Sequence, residues 1–523
     1  MYFQSRVYFL FPILSGICTF LVNEEIYQMT TPKSYWSPLT ILMGILVLAA
    51  VLTWLIPAGS YKTLAFEEGT FMLKTAQETH QLPTDQRSLD SLGIRISLPS
   101  FKTGEIRRPV AVPGSYQRVA AQRQGWLDVL KAPIKGIYEA IDVIVFLLFI
   151  GGFIQVFYAT GALDKGIMYL TVRLRGRYRW LILILGFLFS LGGATFGMAE
   201  ESLAFYPVLV PIFLAAGYDL IVPVAVLFMG TAIGNIGAFT NPFSTILAAH
   251  TAGVDWTDGL YQRLVVFFIT TGIYLFYVLR YAERVRRDPT LSLVGNNEGI
   301  YRWSTLPAEG APLMDGKTKL LLLVFLATFI IMVIGVVRWQ WWLTEMTVVF
   351  FGSALIIGFL AKLSEKIFVE KFVDGAAGLL GVSLVIGFAR GVTIILNEGL
   401  ISDTLVFQAA QWFEHLPPGL FVTLLFILFL GLTLFIASTS SMAVLTMPIL
   451  GALAVMVNVP GREVVNAYIF GMGIMNVVSP VNLALPSLAL VGLSYRTWLK
   501  FSWPLLVILA LVCLIALLIG LKM

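Results

Sequence analysis

Two stretches of this chain repeat one polar, glycine-broken pattern inside apolar sequence, at an offset of 241 residues: GTAIGNIGAFTN at 230–241 and GMGIMNVVSPVN at 471–482. Gly230 pairs with Gly471, Ile233 with Ile474, Asn235 with Asn476 and Asn241 with Asn482, and Pro207 falls on Pro448 in the same register. Hydrocarbon tolerates interrupted backbone only where protein or a cavity satisfies the freed polar groups. Two such interruptions at matched positions point to a membrane carrier built from a duplicated half.

The composition agrees. Of 523 residues, 58% are hydrophobic and 12% charged, about half the ~25% charge of a soluble domain. A spanning helix needs about 20 apolar residues. Candidate spans are 37–54, 141–160, 180–191, 203–216, 221–236, 265–281, 320–337, 348–363, 378–396, 420–436, 443–457, 467–478 and 503–521. Several fall short of a full crossing and read as half-helices or re-entrant segments. Cys18 and Cys513 lie in apolar runs, and His80, His250 and His415 do not cluster, so no metal site is expected. The sequence holds no Walker A, His-Glu-x-x-His or Gly-x-Ser-x-Gly pattern, which leaves ATP-driven and hydrolytic chemistry without a visible home. No enzyme activity, cofactor or nucleic-acid partner is expected; the net charge of +5 fits cytoplasmic arginine and lysine.

Residues 1–35 are set apart as a tag scar (Tyr2-Phe3-Gln4-Ser5) or an extra helix at 7–22, with Met29 an alternative start. The first half covers 36–287 and the second 317–523, with a cytoplasmic linker at 288–316. A polar stretch at about 61–124 reads as an extracytoplasmic insertion, with strand-like alternation at 70–74 and 94–98. Arg173, Arg175, Arg177 and Arg179, then Arg280, Arg284, Arg286 and Arg287, then Lys362, Lys366 and Lys371 mark three cytoplasmic loops. The loop equivalent to 173–179 is 411–419, which has no lysine or arginine. That asymmetry argues for inverted halves. Arg338 is placed outside, beside an interfacial belt of Trp339, Trp341 and Trp342. The repeat extends upstream, where 159–164 resembles 397–403 and 192–198 lies opposite 435–439.

Three features carry candidate chemistry. Glu200 and Glu201, followed by Ser202, sit between apolar runs, with Ser438, Thr439, Ser440 and Ser441 as their counterpart. A mid-membrane carboxylate costs about 2.5–3.5 kcal/mol on insertion scales; it suits a proton, sodium or cationic-substrate site, or a structural pair with Arg390. Asn241-Pro242 and Ser479-Pro480 each read as an N-cap followed by a first helical residue. A helix beginning inside the membrane offers free N–H groups to a carboxylate, and unwound carbonyls nearby offer oxygens to Na⁺; the bland alternative is an ordinary proline kink. Arg390 is a lone cation in an apolar helix, able to hold a substrate carboxylate or to neutralise Glu200 or Glu201. The expected substrate contacts are Glu200, Glu201, Ser202, Asn235, Asn241, Ser244, Arg390, Ser440, Ser441, Asn476, Ser479 and Asn482. Candidate groups for a coupling Na⁺ or H⁺ are Glu200, Gly237, Thr240, Ser438 and Thr439.

The run Phe189-Ser-Leu-Gly-Gly-Ala-Thr-Phe-Gly-Met-Ala-Glu-Glu-Ser-Leu-Ala-Phe205 resembles the signature of YfcC-type members of the C4-dicarboxylate anaerobic carrier-like family, as do Asn241-Pro242-Phe243 and Leu445-Thr-Met-Pro448. The resemblance runs from about Trp36 to the C-terminus. It implies an all-α polytopic membrane protein in the ion transporter superfamily. The implied architecture is two inverted repeats with re-entrant hairpins at 197–202 and 438–441 and broken helices at 235–244 and 476–487. It also implies a scaffold plus a mobile transport domain, elevator-type alternating access, and a homodimer in the bacterial inner membrane. Divalent-anion carriers of this superfamily place Ser-Asn-Thr motifs at their hairpin tips; here the first tip carries Glu200-Glu201. The expected function is secondary active transport of a small carboxylate-bearing metabolite, a C4-dicarboxylate or an amino acid, driven by a cation gradient or by exchange. The alternative is a basic amino acid antiporter of the arginine/ornithine type using the acidic tip. A channel, which needs a continuous lined pore, is more remote.

Overall fold

The computed structural model describes residues 37–522, apart from 68, 76–78, 95, 103–105, 107–108, 164, 167–168, 170–176, 295–313, 340 and 414. The expectations for residues 1–35, for Arg173 and Arg175 and for most of the linker lie outside the described residues. Most of the described chain is helical, and among the described residues nine helices are long and apolar enough to cross a membrane.

The helices outrun the apolar windows that pointed to them. The window at 265–281 belongs to Leu260–Arg287, that at 378–396 to Glu365–Glu398, and that at 503–521 to Tyr495–Gly520. Charged ends such as Arg284–Arg287 interrupt hydropathy without interrupting the helix, because Glu, Lys and Arg are good helix formers. Helix Trp126–Glu139 has no counterpart among the expected spans. Its buried face is Val129, Ala132, Pro133 and Gly136, while Lys131 and Lys135 keep its apolar run too short to stand out. After a break at Ala140 the chain continues as Ile141–Ala159, and the 34-residue helix Glu365–Glu398 packs along both segments.

The molecule is not wholly helical. Within the insertion, strands β1 (Gly59–Ser60) and β6 (Gln117–Arg118) pair antiparallel. Strands β2 (Thr63–Glu67), β3 (Thr70–Lys74), β4 (Thr79–Leu82) and β5 (Val110–Ala111) form a sheet in the order β4-β3-β2-β5. The expected strand at 70–74 is β3. Among the described residues of the stretch 94–98 none is in a strand: Ile94 and Ile96 bury their side chains ahead of helix Leu98–Lys102. Alternating burial therefore arose there without a ladder partner. The insertion docks through Tyr116, which stacks on Phe407 with ring centroids 3.9 Å apart and meets the Thr404 hydroxyl at 2.9 Å.

Two helix–turn–helix segments and two interrupted helices make the interior. The first hairpin runs Tyr178–Phe196, a 3₁₀ turn at Glu200–Phe205, then Tyr206–Ala215. The second runs Pro418–Leu432, an irregular tip, then Thr439–Met456. The repeated motifs lie at the ends of helices Ile221–Ile236 and Gly461–Asn476. After the first break the chain turns helical again from Pro242; after the second, from Ala484. The two motif helices touch at Gly473, where a Cβ would stand 2.6 Å from the Ile236 backbone nitrogen. A side chain there would push the two breaks apart.

Candidate functional site

The breaks and the hairpin tips meet around one cavity of about 200 Å³. The first tip contributes 197–200, the second 437–440, the ends of the motif helices Asn235 and Asn476, and the chain after each break Asn241 and Asn482. Arg390 reaches in from the long helix, and Phe228, Phe243 and Trp342 supply aromatic wall.

Local structure explains why these groups point inward. Gly197 ends the first hairpin helix in a left-handed conformation (φ +77°) that a Cβ would strain, and a Cβ there would lie 2.8 Å from the Asn241 carboxamide oxygen. Asn241 caps the next helix, its side-chain oxygen accepting from the N–H groups of Phe243 (2.9 Å) and Ser244 (3.2 Å). Its amide donates to Asn235 Oδ1 at 2.9 Å. The same bond recurs in the second half, where the Asn482 amide donates to Asn476 Oδ1 at 2.7 Å. Ser438 caps Thr439–Met456, its hydroxyl oxygen accepting from the Ser441 N–H at 3.2 Å.

The cavity thus faces the helix N-termini at Asn241 and Ser438, and also those at Trp342 and Leu483, which precede Leu343–Ala361 and Ala484–Val491. It also faces three helix C-termini, near Gly197, Asn235 and Asn476. N-termini carry partial positive charge and C-termini partial negative charge, each about 0.5 of a unit. The side chains follow the same polarity. The Arg390 guanidinium approaches the Glu200 carboxylate at 3.8 Å, and both remain partly exposed, at 22% and 27%.

Of the expected substrate contacts, Glu200, Asn235, Asn241, Arg390, Ser440, Asn476 and Asn482 line the cavity. Glu201 does not: it is buried behind the tip and accepts from the Ala199 N–H at 2.9 Å. Ser202 is buried and donates to the Ala199 carbonyl, and Ser244 is buried in the first turn of its helix. Ser441 lies on the far side of the second tip, facing another cavity. The expected cap at Ser479-Pro480 does not form. The Ser479 hydroxyl donates to the Thr433 carbonyl at 2.8 Å, and the helix starts only at Ala484; the side chain is directed to the second hairpin, and it is the Ser479 carbonyl that accepts from the following Asn482 N–H, at 3.3 Å. Of the candidate cation groups, Glu200, Ser438 and Thr439 face the cavity. Gly237 packs against Phe267, and Thr240 donates to the Thr195 carbonyl at 3.2 Å.

Two features escaped the sequence reading. Trp342, assigned to an interfacial belt, lines the cavity and meets the Phe243 ring at 5.1 Å. A buried polar cluster joins Arg263 to Asn466 (3.1 Å), Asn466 to Gln262 (3.0 Å) and Gln262 to Glu463 (3.2 Å). It ties the start of Gly461–Asn476 to helix Leu260–Arg287; the sequence signal available for it was Arg462-Glu463 at the head of an apolar run. Among the described residues no cluster of three or more His, Cys, Asp or Glu side chains is placed to hold a metal.

Comparison with known proteins places the chain in a family. Residues 37–522 match the family DcuC, the C4-dicarboxylate anaerobic carriers. An uncharacterized protein of Haemophilus influenzae is 36% identical over 479 residues, covering 90% of this chain and 94% of the relative. The putative basic amino acid antiporter YfcC of Escherichia coli is 29% identical over 501 residues, covering 91% of this chain and 94% of that one. Among solved structures, the YdaH transporter of Alcanivorax borkumensis aligns over 91% of this chain and 97% of its own, with 15% identity and a TM-score of 0.37. The chain belongs to the C4-dicarboxylate anaerobic carrier family, as a multi-pass membrane transporter of the YfcC type and not an enzyme.

Proposed function

We propose that this protein is a secondary active carrier of a small amino acid with a basic side chain, exchanged across the bacterial inner membrane. The observation that carries the reading is the Glu200–Arg390 pair on one cavity wall, 3.8 Å apart and open to the space between the helix ends. A zwitterion can answer both charges. Its carboxylate goes to Arg390 and the N-termini at Asn241 and Ser438; its ammonium goes to Glu200 and the C-terminal carbonyl ends. The face of Trp342 offers a cation–π contact for a second positive group, worth about 0.5–2 kcal/mol. A C4-dicarboxylate would use the same N-termini but would set a carboxylate against Glu200. The description of the Escherichia coli relative as a putative basic amino acid antiporter supports the first reading.

In this account the halves are inverted repeats. The hairpin tips close over the solute, and the unit that bears them slides against a scaffold containing the long helix 365–398, in a homodimer. Exchange of one cationic solute for another needs no further ion; with a coupling Na⁺ or H⁺, Glu200, Ser438 and Thr439 are the groups that face it. Titration calorimetry on the purified protein tests the substrate class. Arginine or ornithine should bind and succinate should not, and Glu200→Gln should weaken the basic amino acid by 10-fold or more, about 1.4 kcal/mol. Tight succinate binding that is indifferent to Glu200→Gln would favour the dicarboxylate instead.

A further inference from the structure

A second cavity, of about 320 Å³, lies directly behind the second hairpin tip. Its floor includes Ser441 and Leu445, its side Thr393 and Asp403, and its roof Thr63 and Ala111 of the insertion. It sits at the end of helix Glu365–Glu398 opposite Lys366 and Lys371, so it opens on the face away from the basic loops. Only one stretch of chain separates it from the central cavity. Ala437, Ser438, Thr439 and Ser440 face the central space, while Ile436 and Ser441 on either side of them face the second. The partition is irregular at Ala437 and Ser438 and turns helical at Thr439, the first residue of Thr439–Met456. It is held by the Thr393 hydroxyl, which accepts from the Ala437 N–H at 3.3 Å and donates to the Phe435 carbonyl at 3.4 Å, and by the Ser438–Ser441 hydroxyl contact at 2.9 Å. The two Thr393 bonds are long, and so cheaper to exchange than a run of helix hydrogen bonds.

We infer that the second cavity is an outer antechamber on the substrate path, which concentrates small organic ammonium compounds through the carboxylate of Asp403 before they reach the central site. Asp403 is its one charged lining group among the described residues, and the Tyr61 N–H holds it in place at 2.8 Å. The insertion thereby acquires a role: through Tyr61, Thr63 and Ala111 it roofs the chamber and positions its acid. This inference rests on the reading that the solute is a cationic amino acid.

Thiol labelling in right-side-out vesicles tests it with the full chain. The parent carries Cys18→Ser, and its remaining Cys513 is buried at 0% exposure. Leu445→Cys places a thiol on the chamber floor, and Thr63→Cys does so on the roof if the first variant does not fold. Each is treated with the ethylammonium and the ethylsulfonate methanethiosulfonates, with rates normalised to free glutathione. The cationic reagent should react about tenfold faster, as one nearby carboxylate at intermediate dielectric allows. Asp403→Asn should bring the ratio close to one, and labelled protein should lose counterflow of the basic amino acid. Equal rates with Asp403 present, an unreactive thiol at both positions, or full counterflow after labelling would overturn the antechamber. The rate ratio requires no knowledge of the solute, so it stands or fails separately from the amino acid reading.

Discussion

The side-chain amide of Asn241 donates to Asn235 Oδ1 across a helix break at 2.9 Å. One residue thereby closes the end of one helix and caps the start of the next, and the Asn482–Asn476 bond repeats the closure 241 residues later. The cap alone is worth about 0.5–2 kcal/mol. Asn241→Ala should lower the midpoint of thermal unfolding by a few degrees and weaken solute binding with it. Asn241→Asp keeps the cap but loses the donor, so it should unfold near the wild-type temperature and still bind weakly. Equal unfolding temperatures for wild type and Asn241→Ala would remove the cap from the account.

The Glu200–Arg390 pair separates structure from transport. Breaking a fully buried pair costs about 3–5 kcal/mol and a surface pair about 0–1; with roughly a quarter of each side chain exposed, this one falls between. Arg390→Met alone should destabilise by leaving Glu200 unpaired. The double variant Glu200→Gln, Arg390→Met should recover most of that loss in a thermal melt while remaining inactive in transport. Transport by the double variant would make the pair a structural clamp only.

Two glycines let the first motif helix pack closely on the second motif helix and on the first hairpin helix Tyr178–Phe196. A Cβ on Gly473 would stand 2.6 Å from the Ile236 nitrogen, and one on Gly234 would stand 1.9 Å from the Ser190 carbonyl oxygen. Both neighbours are backbone and cannot rotate away. Gly234→Ala and Gly473→Ala should each cost about 1–3 kcal/mol, seen as a reduced unfolding temperature and a lower monodisperse yield. Gly352→Ala, where nothing lies within 4 Å, is the control and should be neutral.

Much of this interior was legible because polar atoms are conspicuous in apolar sequence. Asn235, Asn241, Asn476, Glu200 and Arg390 announced themselves, and they converge on one cavity. What stayed hidden depended on long-range partners. Nothing local distinguishes Glu200 from Glu201, yet one lines the cavity and the other turns back to the Ala199 N–H. Ser479-Pro480 has the composition of a cap, but the Thr433 carbonyl, 46 residues away, takes the hydroxyl. Trp342 sits in a tryptophan cluster typical of an interface, and only the fold brings Phe243 against it.

The turn between the first hairpin and the first motif helix carries a pH-sensitive clasp. Asp219 accepts from the hydroxyls of Tyr281 and Ser292, both at 2.6 Å, which fastens the start of the linker. Burial, the largest influence, raises its carboxyl above the ordinary 3.8, against the lowering by those hydrogen bonds. The folded chain therefore keeps this proton to higher pH than the unfolded chain does. The resulting stabilisation is full below the ordinary value and is lost as pH rises through the raised one. Asp219→Asn should remove that slope from a series of unfolding temperatures between about pH 3 and 6. An unchanged slope would assign it to other carboxylates.

Counterflow in proteoliposomes bears most directly on the central claim. Vesicles preloaded with arginine or ornithine should accumulate labelled basic amino acid through the wild-type protein, succinate should not compete, and Glu200→Gln should lower the rate by about 100-fold, or ~2.7 kcal/mol, at unchanged expression. Succinate exchange that proceeds equally well in wild type and Glu200→Gln would contradict the account.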